Sequence, residues 1–312
     1  MRGIRRIVSR MKPARFARLQ WRGLVGRESR YVGSISETGV HLGLGVADFS
    51  ANFSGFSRDY FFIFANGASV NELTQADFDF MRPHFSVGLN AWPLHPFVPS
   101  AYAFELWGGL NRHDAELEFL LRRASRNQRA SSSPAWLVRP NRQQIELVAA
   151  IMSAVPGLKV DLYGRANLAT NSLSRIDLEI SEALSFLKGY ANPAPVLLDN
   201  GSSVVRMISL ALLHGFRKVI LVGVDLTESP YFWYDPTFVE SHGDFTEICR
   251  REPDEGTDTL LTHDRPFGAD TFIYALSRVA TDRFGAEILV SSSSSALSGE
   301  LGVFRFGRPV QS

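Results

Sequence analysis

The run Phe61-Phe62-Ile63-Phe64-Ala65-Asn66-Gly67-Ala68-Ser69-Val70 passes from four large apolar side chains into a turn of small residues and then into a helix start. A short unbroken apolar run ending in turn residues reads as a strand buried on both faces, the kind found in parallel sheets. The small residues after it let an anion approach the main chain. Free amides at the start of the following helix, with their dipole, would point at that anion, and Asn66 adds a side-chain amide to the same place. Asn-Gly also marks ordinary tight turns, so a phosphate site and a plain strand-to-helix connection both fit the segment.

Outward from this run the pattern alternates. A strand over 60–65 is followed by a helix over about 70–81, a strand over 85–89 and a third short strand, Tyr102-Ala103-Phe104-Glu105. Strands alternating with helical patterns predict parallel βαβ units. Residues 111–129 and 141–154 read as helices, broken by Ser131-Ser132-Ser133-Pro134 and ended by Pro156-Gly157. Residues 165–200 carry no sharp pattern and read as helix or loop covering a cleft. Beyond them Ser202-Ser203 caps an apolar helix that reaches Leu213 and stops at Gly215. Lys218-Val219-Ile220-Leu221-Val222-Gly223-Val224-Asp225 is a second apolar strand with an acid at its carboxyl end, where ligands of such sheets gather. A helix over 269–284 and a last strand, Ala286-Glu287-Ile288-Leu289-Val290, lead into five serines that read as a polar loop or helix cap.

The 312 residues suffice for one large α/β domain with a subdomain. The single cysteine, Cys249, excludes an internal disulfide framework and a cysteine-built zinc site, which points to a reducing, cytoplasmic compartment. Residues 1–27 carry nine basic side chains and no acid, leaving 24 basic against 32 acidic residues in the rest. A body with that balance is a poor nucleic-acid binder, so no nucleic-acid partner is expected. Ile4, Ile7, Val8, Met11 and Leu19 recur at roughly helical spacing among the arginines. That is the pattern of a basic amphipathic helix able to lie on anionic lipid, and also of a partner-docking arm or a transit peptide. The expected organisation is a basic arm over 1–27, an irregular lead-in over 28–59, and a catalytic domain over 60–312.

Four segments together resemble the bacterial sialyltransferases of glycosyltransferase family 42, or a close sialyltransferase-like relative such as a Kdo transferase. They are Phe64-Ala65-Asn66-Gly67-Ala68-Ser69, Val87-Gly88-Leu89-Asn90, the run from Ser202-Ser203 to Leu221-Val222-Gly223-Val224-Asp225, and Thr262-His263-Asp264 followed by Asp270 and a helix. The resemblance spans 60 to about 297. It implies an α/β fold, a Rossmann-like parallel sheet flanked by helices in a single-domain GT-A-like variant, with a smaller lid around 227–262. It also implies an inverting transferase that uses a CMP-activated ulosonic acid, sialic acid or Kdo, with no metal and no cofactor beyond that donor. Asn66 beside Gly67 and Ser69 would hold the nucleotide phosphate or ribose, and Asn90 the phosphate or the sugar. Ser203, next to Ser202, would bind the donor carboxylate from its helix N-terminus, and His263 would be the general base. The chain departs from the family at Glu105, where the family has asparagine, and at Thr227, where it has a phosphate-binding tyrosine.

The chemistry such a transfer needs is present by residue type. A histidine with an ordinary pKa near 6.5 is largely neutral yet basic at pH 7, and His263 lies in a polar, turn-rich segment. His242, with Asp244, is the rival as base or as a metal ligand; two ligands alone specify no metal. Tyr231 and Tyr234, in the cluster Tyr231-Phe232-Trp233-Tyr234, offer hydroxyls to phosphate charge that grows as the glycosidic bond breaks, or plug the space between loop and core. Asp225 positions the loop, accepts from ribose or caps a turn. His84, His95 and His113 read as surface or packing residues, and His214 as a partner of a helix C-terminal dipole.

The expected partners are the CMP-sugar donor, a glycan or glycolipid acceptor and an anionic membrane surface, with a homo-oligomer left open. Two other functions fit the same segments: a metal-dependent pyrophosphokinase-like enzyme using ATP, and a non-catalytic nucleotide-binding protein.

Overall fold

The computed structural model describes residues 13–39, 44–105, 119–120, 122–124, 135–139, 160–168, 172–189, 195–227, 231–238 and 267–307. Eight strands form one all-parallel sheet in the order β1-β6-β5-β4-β3-β2-β9-β10. They are β1 (Leu44–Val46), β2 (Tyr60–Phe64), β3 (Phe85–Leu89), β4 (Ala101–Glu105), β5 (Ala135–Arg139), β6 (Val160–Leu162), β9 (Lys218–Val222) and β10 (Glu287–Val290). A second, two-stranded parallel sheet pairs β7 (Gly164–Asn167) with β8 (Val196–Asp199). This is the α/β, Rossmann-like architecture anticipated from the alternating pattern.

Why β2 is central follows from its side chains. Phe61 and Ile63 enter one hydrophobic core and Phe62 and Phe64 the other, because successive side chains of a strand point to opposite faces. All four are fully buried, each contributing about 1.5–3 kcal/mol by burial. On the first face lie three helices, α4 (Ile176–Gly189), α5 (Ser203–Leu213) and α6 (Ala269–Val279). The other is covered by Phe78 and Met81 of α3 (Gln75–Met81), Trp92, Phe232 and Trp233. Gly88 of β3 makes room for Trp92: a Cβ there would lie 2.9 Å from Trp92 Cβ and closer still to its ring.

The connections diverge on either side of the β2–β9 pair. From β2 the chain steps through β3, β4 and β5 to β6, whereas β9 is followed by β10 on the opposite side. A crevice forms at the carboxyl ends of strands at such a switch point.

Residues 28–59 are not the irregular lead-in expected. Helix α1 runs from Pro13 through Gly39, across the boundary at 27, and is followed by β1 and the short helix α2 (Phe49–Asn52). Val25, Val32 and Ile35 of α1 are buried, which explains why the helix continues past the arginines: its apolar face is covered by the body. Residues 165–200 likewise contain β7, α4 and β8. The helix expected over 70–81 is split into a 3-10 helix, Ala68–Glu72, and α3, which Thr74 opens with a capping box to Asp77. The helix over 269–284 is α6 continued by a π-turn over Ala280–Phe284. Most of the helices expected over 111–129 and 141–154 lies outside the described residues. Among the described residues no helix is long and apolar enough to cross a membrane.

His214 also corrects an expectation. It closes α5, but burial and the nearby Arg58 push its pKa down to about 4 against the opposing pull of Asp48. At neutral pH it is therefore an uncharged ring packed edge-on against Phe53 and Phe49, not a cation on the helix dipole. Between pH 6.5 and about 4 the unfolded chain binds the proton and the folded chain does not. Stability must then fall with pH through that window by up to ~3 kcal/mol. Urea midpoints measured from pH 7 to 4 should show this slope in the native protein and a flatter one in His214→Gln; parallel slopes would remove His214 as its source.

Candidate active site

Three strands deliver the site to the switch-point crevice. β2 ends at Phe64 and β9 at Val222, register partners, and Phe64 also pairs with Gly88 of β3. The segments 65–69, 89–90 and 223–227 therefore leave the sheet side by side. Ala65 N–H donates to Val222 O (2.7 Å) and Gly67 N–H to Gly223 O (2.8 Å), extending the β2–β9 pairing into the turn.

Asp225 is buried at 6% exposure. Its Oδ2 accepts the Ser69 N–H at 3.0 Å, and its Oδ1 accepts the Ser69 hydroxyl. Gly67 is required by this approach, since a Cβ would lie 2.7 Å from Gly223 O and closer still to the Asp225 carboxylate. Gly223 adopts a left-handed backbone with φ +68, and a Cβ there would meet Val70 and Ala65 O. Of the amides after the strand, that of Ser69 is thus already taken and does not await a phosphate. An internal carboxylate holds the Ser69 amide, and the segment opens a 3-10 helix of five residues.

Asn66 lies beside this contact, and its Oδ1 is buried with no hydrogen-bond partner. Buried polar atoms without partners are rare and point to a strained or functional place. Asn90, two residues past the Gly88–Phe64 pair, has φ 50, and Leu226, just past Asp225, has φ 49. These are the two non-glycine residues at positive φ among those described. Asparagine tolerates the left-handed region; for Leu226 it costs about 1–2 kcal/mol. Both follow strand ends of the same crevice, where such conformations tend to serve function.

The aromatic cluster docks on the Asn66 turn. Tyr231 forms an antiparallel bridge with Gly67, Phe232 N–H donates to Asn66 O (2.9 Å), and Asn71 Nδ2 donates to Phe232 O (3.0 Å). Tyr231 stacks on Trp233 with centroids 4.5 Å apart, and Tyr234 lies 6.4 Å from Tyr231. Phe232 and Trp233 are core; Tyr231 and Tyr234 are half-buried. The plug reading of the cluster therefore applies to Phe232 and Trp233.

Ser202 and Ser203 stand where β8 passes into α5. Ser202 is the N-cap but makes no side-chain capping bond, a departure from the expected cap. Ser203 Oγ accepts from Arg206 Nη2 (3.0 Å), and Arg206 Nη1 is 2.7 Å from Asp199 Oδ1, both residues fully buried. The serine run after β10 is a polar loop tied to the site's scaffold: Ser295 Oγ donates to Val224 O (2.7 Å), and Ser292 and Ser294 bond Glu72. This anchoring through Glu72 was invisible in the sequence, where the two lie about 220 residues apart.

The structure thus brings Asn66, Gly67, Ser69, Asp225 and Tyr231 into one cluster, with Asn90 on the adjoining strand end. Thr227 follows Leu226 at the exit of β9, and Glu105 is the last residue of β4, its main chain paired with Arg139. His263, His242, Asp244, His113 and most of the expected lid lie outside the described residues. Among the described residues no three or more His, Cys, Asp or Glu side chains are grouped to hold a metal. His95 is buried, stacks on Trp92 and accepts the Phe97 N–H through Nδ1, a packing role as expected. His84, its pKa lowered by burial against the opposing pull of Asp59, packs on Tyr60 before β3, away from the carboxyl edge.

No family model matches the chain, and no curated protein does. Among solved structures it is similar to the monofunctional alpha-2,3-sialyltransferase Cst-I of Campylobacter jejuni, with 12% identity and a TM-score of 0.44 over 78% of this chain and 80% of that one. It is also similar to the sialyltransferase CstII of Campylobacter jejuni, with 14% identity and a TM-score of 0.43 over 78% and 84%. Likenesses this distant assign neither an activity nor residue roles to this chain.

Proposed function

We propose that this chain is a metal-independent, inverting glycosyltransferase that moves a CMP-activated ulosonic acid, sialic acid first and Kdo second, to a glycan or glycolipid acceptor. The observation that carries this reading is the buried, unpartnered Asn66 Oδ1 at the switch point, beside Asp225 and the Tyr231 bridge. The resemblance of four sequence segments supports it. Two of them, around Asn66 and Asp225, touch each other, and a third ends on the neighbouring strand at Asn90.

In this reaction the acceptor oxygen bonds to the anomeric carbon from the face opposite the nucleotide. The bond from that carbon to the phosphate oxygen breaks, and CMP leaves with its electron pair. His263 takes the acceptor proton, the hydroxyls of Tyr231 and Tyr234 donate to the phosphate, and Ser203 at the start of α5 binds the donor carboxylate.

Calorimetric titration in chelator-treated buffer with CMP, CDP, UDP and ATP tests the reading. CMP should bind at least about tenfold more tightly than the others, a difference of roughly 1.4 kcal/mol. Binding of ATP alone, and only with magnesium, would instead favour phosphoryl or pyrophosphoryl transfer, which needs a cation across the phosphates.

A further inference from the structure

Near its start α5 carries a cation that packing alone does not call for. Arg206 is fully buried, within the buried stretch Val205–Leu212. Its place is fixed from two sides. Ser209 Oγ donates to Arg206 O (2.9 Å) and accepts the Leu198 N–H (3.2 Å), which ties the helix backbone to β8. Arg206 Nη1 donates to Asp199 Oδ1 (2.7 Å) at the end of the same strand. A buried pair of this kind often stabilises a fold no more than apolar side chains of similar volume would. What it adds here is at the other guanidinium nitrogen, where Nη2 donates to Ser203 Oγ at 3.0 Å.

A serine hydroxyl has one hydrogen and two lone pairs, and a guanidinium only donates. With Arg206 on one lone pair, the Ser203 hydrogen points away from the guanidinium, and among the described residues it is donated to no group. The cation on the oxygen also polarises the O–H bond and strengthens it as a donor. Ser203 is half-buried, so a ligand can reach it. Ser202, the N-cap, makes no side-chain capping bond that would close off the first turn.

We propose that Arg206 is a positioning residue: paired with Asp199, it holds the Ser203 hydroxyl as a dedicated hydrogen-bond donor to an anionic group of the ligand and does not touch that group itself. The proposal rests on the reading above, in which the group is the donor carboxylate.

Calorimetry on the full chain tests this with three ligands: CMP, a CMP-sialic acid fluorinated beside its anomeric carbon so that it is not turned over, and the methyl ester of that compound. The ratio of ester to acid Kd reads the carboxylate contact, and the steric cost of the methyl group is common to every variant. The native protein should bind the acid at least about tenfold more tightly than the ester, and Ser203→Ala should remove most of that ratio. Arg206→Met with Asp199→Asn, which strands no charge, should remove about as much. Adding Ser203→Ala to that pair should lower the ratio by less than about twofold more, since the two changes break one contact. CMP affinity should stay within about threefold throughout, whereas a residue that only supports the fold would weaken CMP, acid and ester together. Arg206→Leu with Asp199→Asn takes the place of the double variant if that one does not fold, and CMP-Kdo with its ester takes the place of the sialic acid pair if only Kdo binds. A native ratio near one, a native ratio that survives in the double variant or in Ser203→Ala, losses that multiply when the changes are combined, or a uniform weakening of all three ligands would each overturn the proposal while CMP still binds. If CMP does not bind the native protein, the cytidine reading itself has failed and this inference falls with it.

Discussion

Arg206→Ala is expected to cost the fold about 3–5 kcal/mol, because it takes from the buried Asp199 carboxylate its fully buried cationic partner. Both side chains are fully buried, and Arg206 Nη1 lies 2.7 Å from Asp199 Oδ1. Asp199 Oδ1 also accepts the Gly201 N–H at 2.6 Å, and its Oδ2 accepts from Arg165 Nη1 at 3.4 Å; Arg165 is 30% exposed, so water screens that pair and it offsets only part of the loss. The pair joins the end of β8 to the first turn of α5, and Arg206 continues it to the Ser203 hydroxyl. Its loss would therefore also loosen Ser202 and Ser203 at the carboxyl edge. Guanidinium denaturation of Arg206→Ala and of Arg206→Met with Asp199→Asn separates charge from packing. The double variant, with no stranded carboxylate, should be more stable than Arg206→Ala. A loss below about 1 kcal/mol in the single variant would mean that water or Arg165 reaches Asp199 and that the pair is not sealed.

The strands that meet at the crevice were legible because burial on both faces leaves a continuous apolar run, as in Phe61–Phe64 and Val219–Val222. β1 and β6 were not, since three residues each is too short for any period to register. In α1 the helical spacing among the arginines was legible, and what it packs against was not: it reads as a lipid- or partner-facing arm, whereas the helix continues to Gly39 and buries Val25, Val32 and Ile35 in the body. The candidate site was legible in its members and not in its wiring. Asn66, Gly67, Ser69 and Asp225 could each be named from turn chemistry and strand ends. That Asp225 would take the Ser69 amide depends on register between strands 156 residues apart, which local pattern does not encode. The contact changes the chemistry, since the Ser69 amide that could have met an anion is held by the chain's own carboxylate.

His263→Ala should lower turnover by roughly 10²–10⁴-fold while leaving CMP affinity within about threefold, the effect of removing a general base that does not hold the nucleotide. The described residues narrow the field in which that base must be found. Asp225 has both oxygens committed to Ser69, and Asp199 is tied to Arg206. His84 and His214 stand at the amino edge of the sheet, and His95 is packed between Trp92 and Phe78 with Nδ1 engaged. Of the histidines outside the described residues, His41, His113, His242 and His263, the last two lie in a polar, turn-rich segment that leads directly into α6. As the acting form is uncharged, kcat/KM should rise with pH through a pKa near 6.5 and lose that limb in His263→Ala. The two candidates are separated by His242→Ala, which should leave the profile in place. If turnover and the acidic limb survive His263→Ala and vanish in His242→Ala, the base is His242, and the correspondence of Thr262-His263-Asp264 to a transferase motif fails with it.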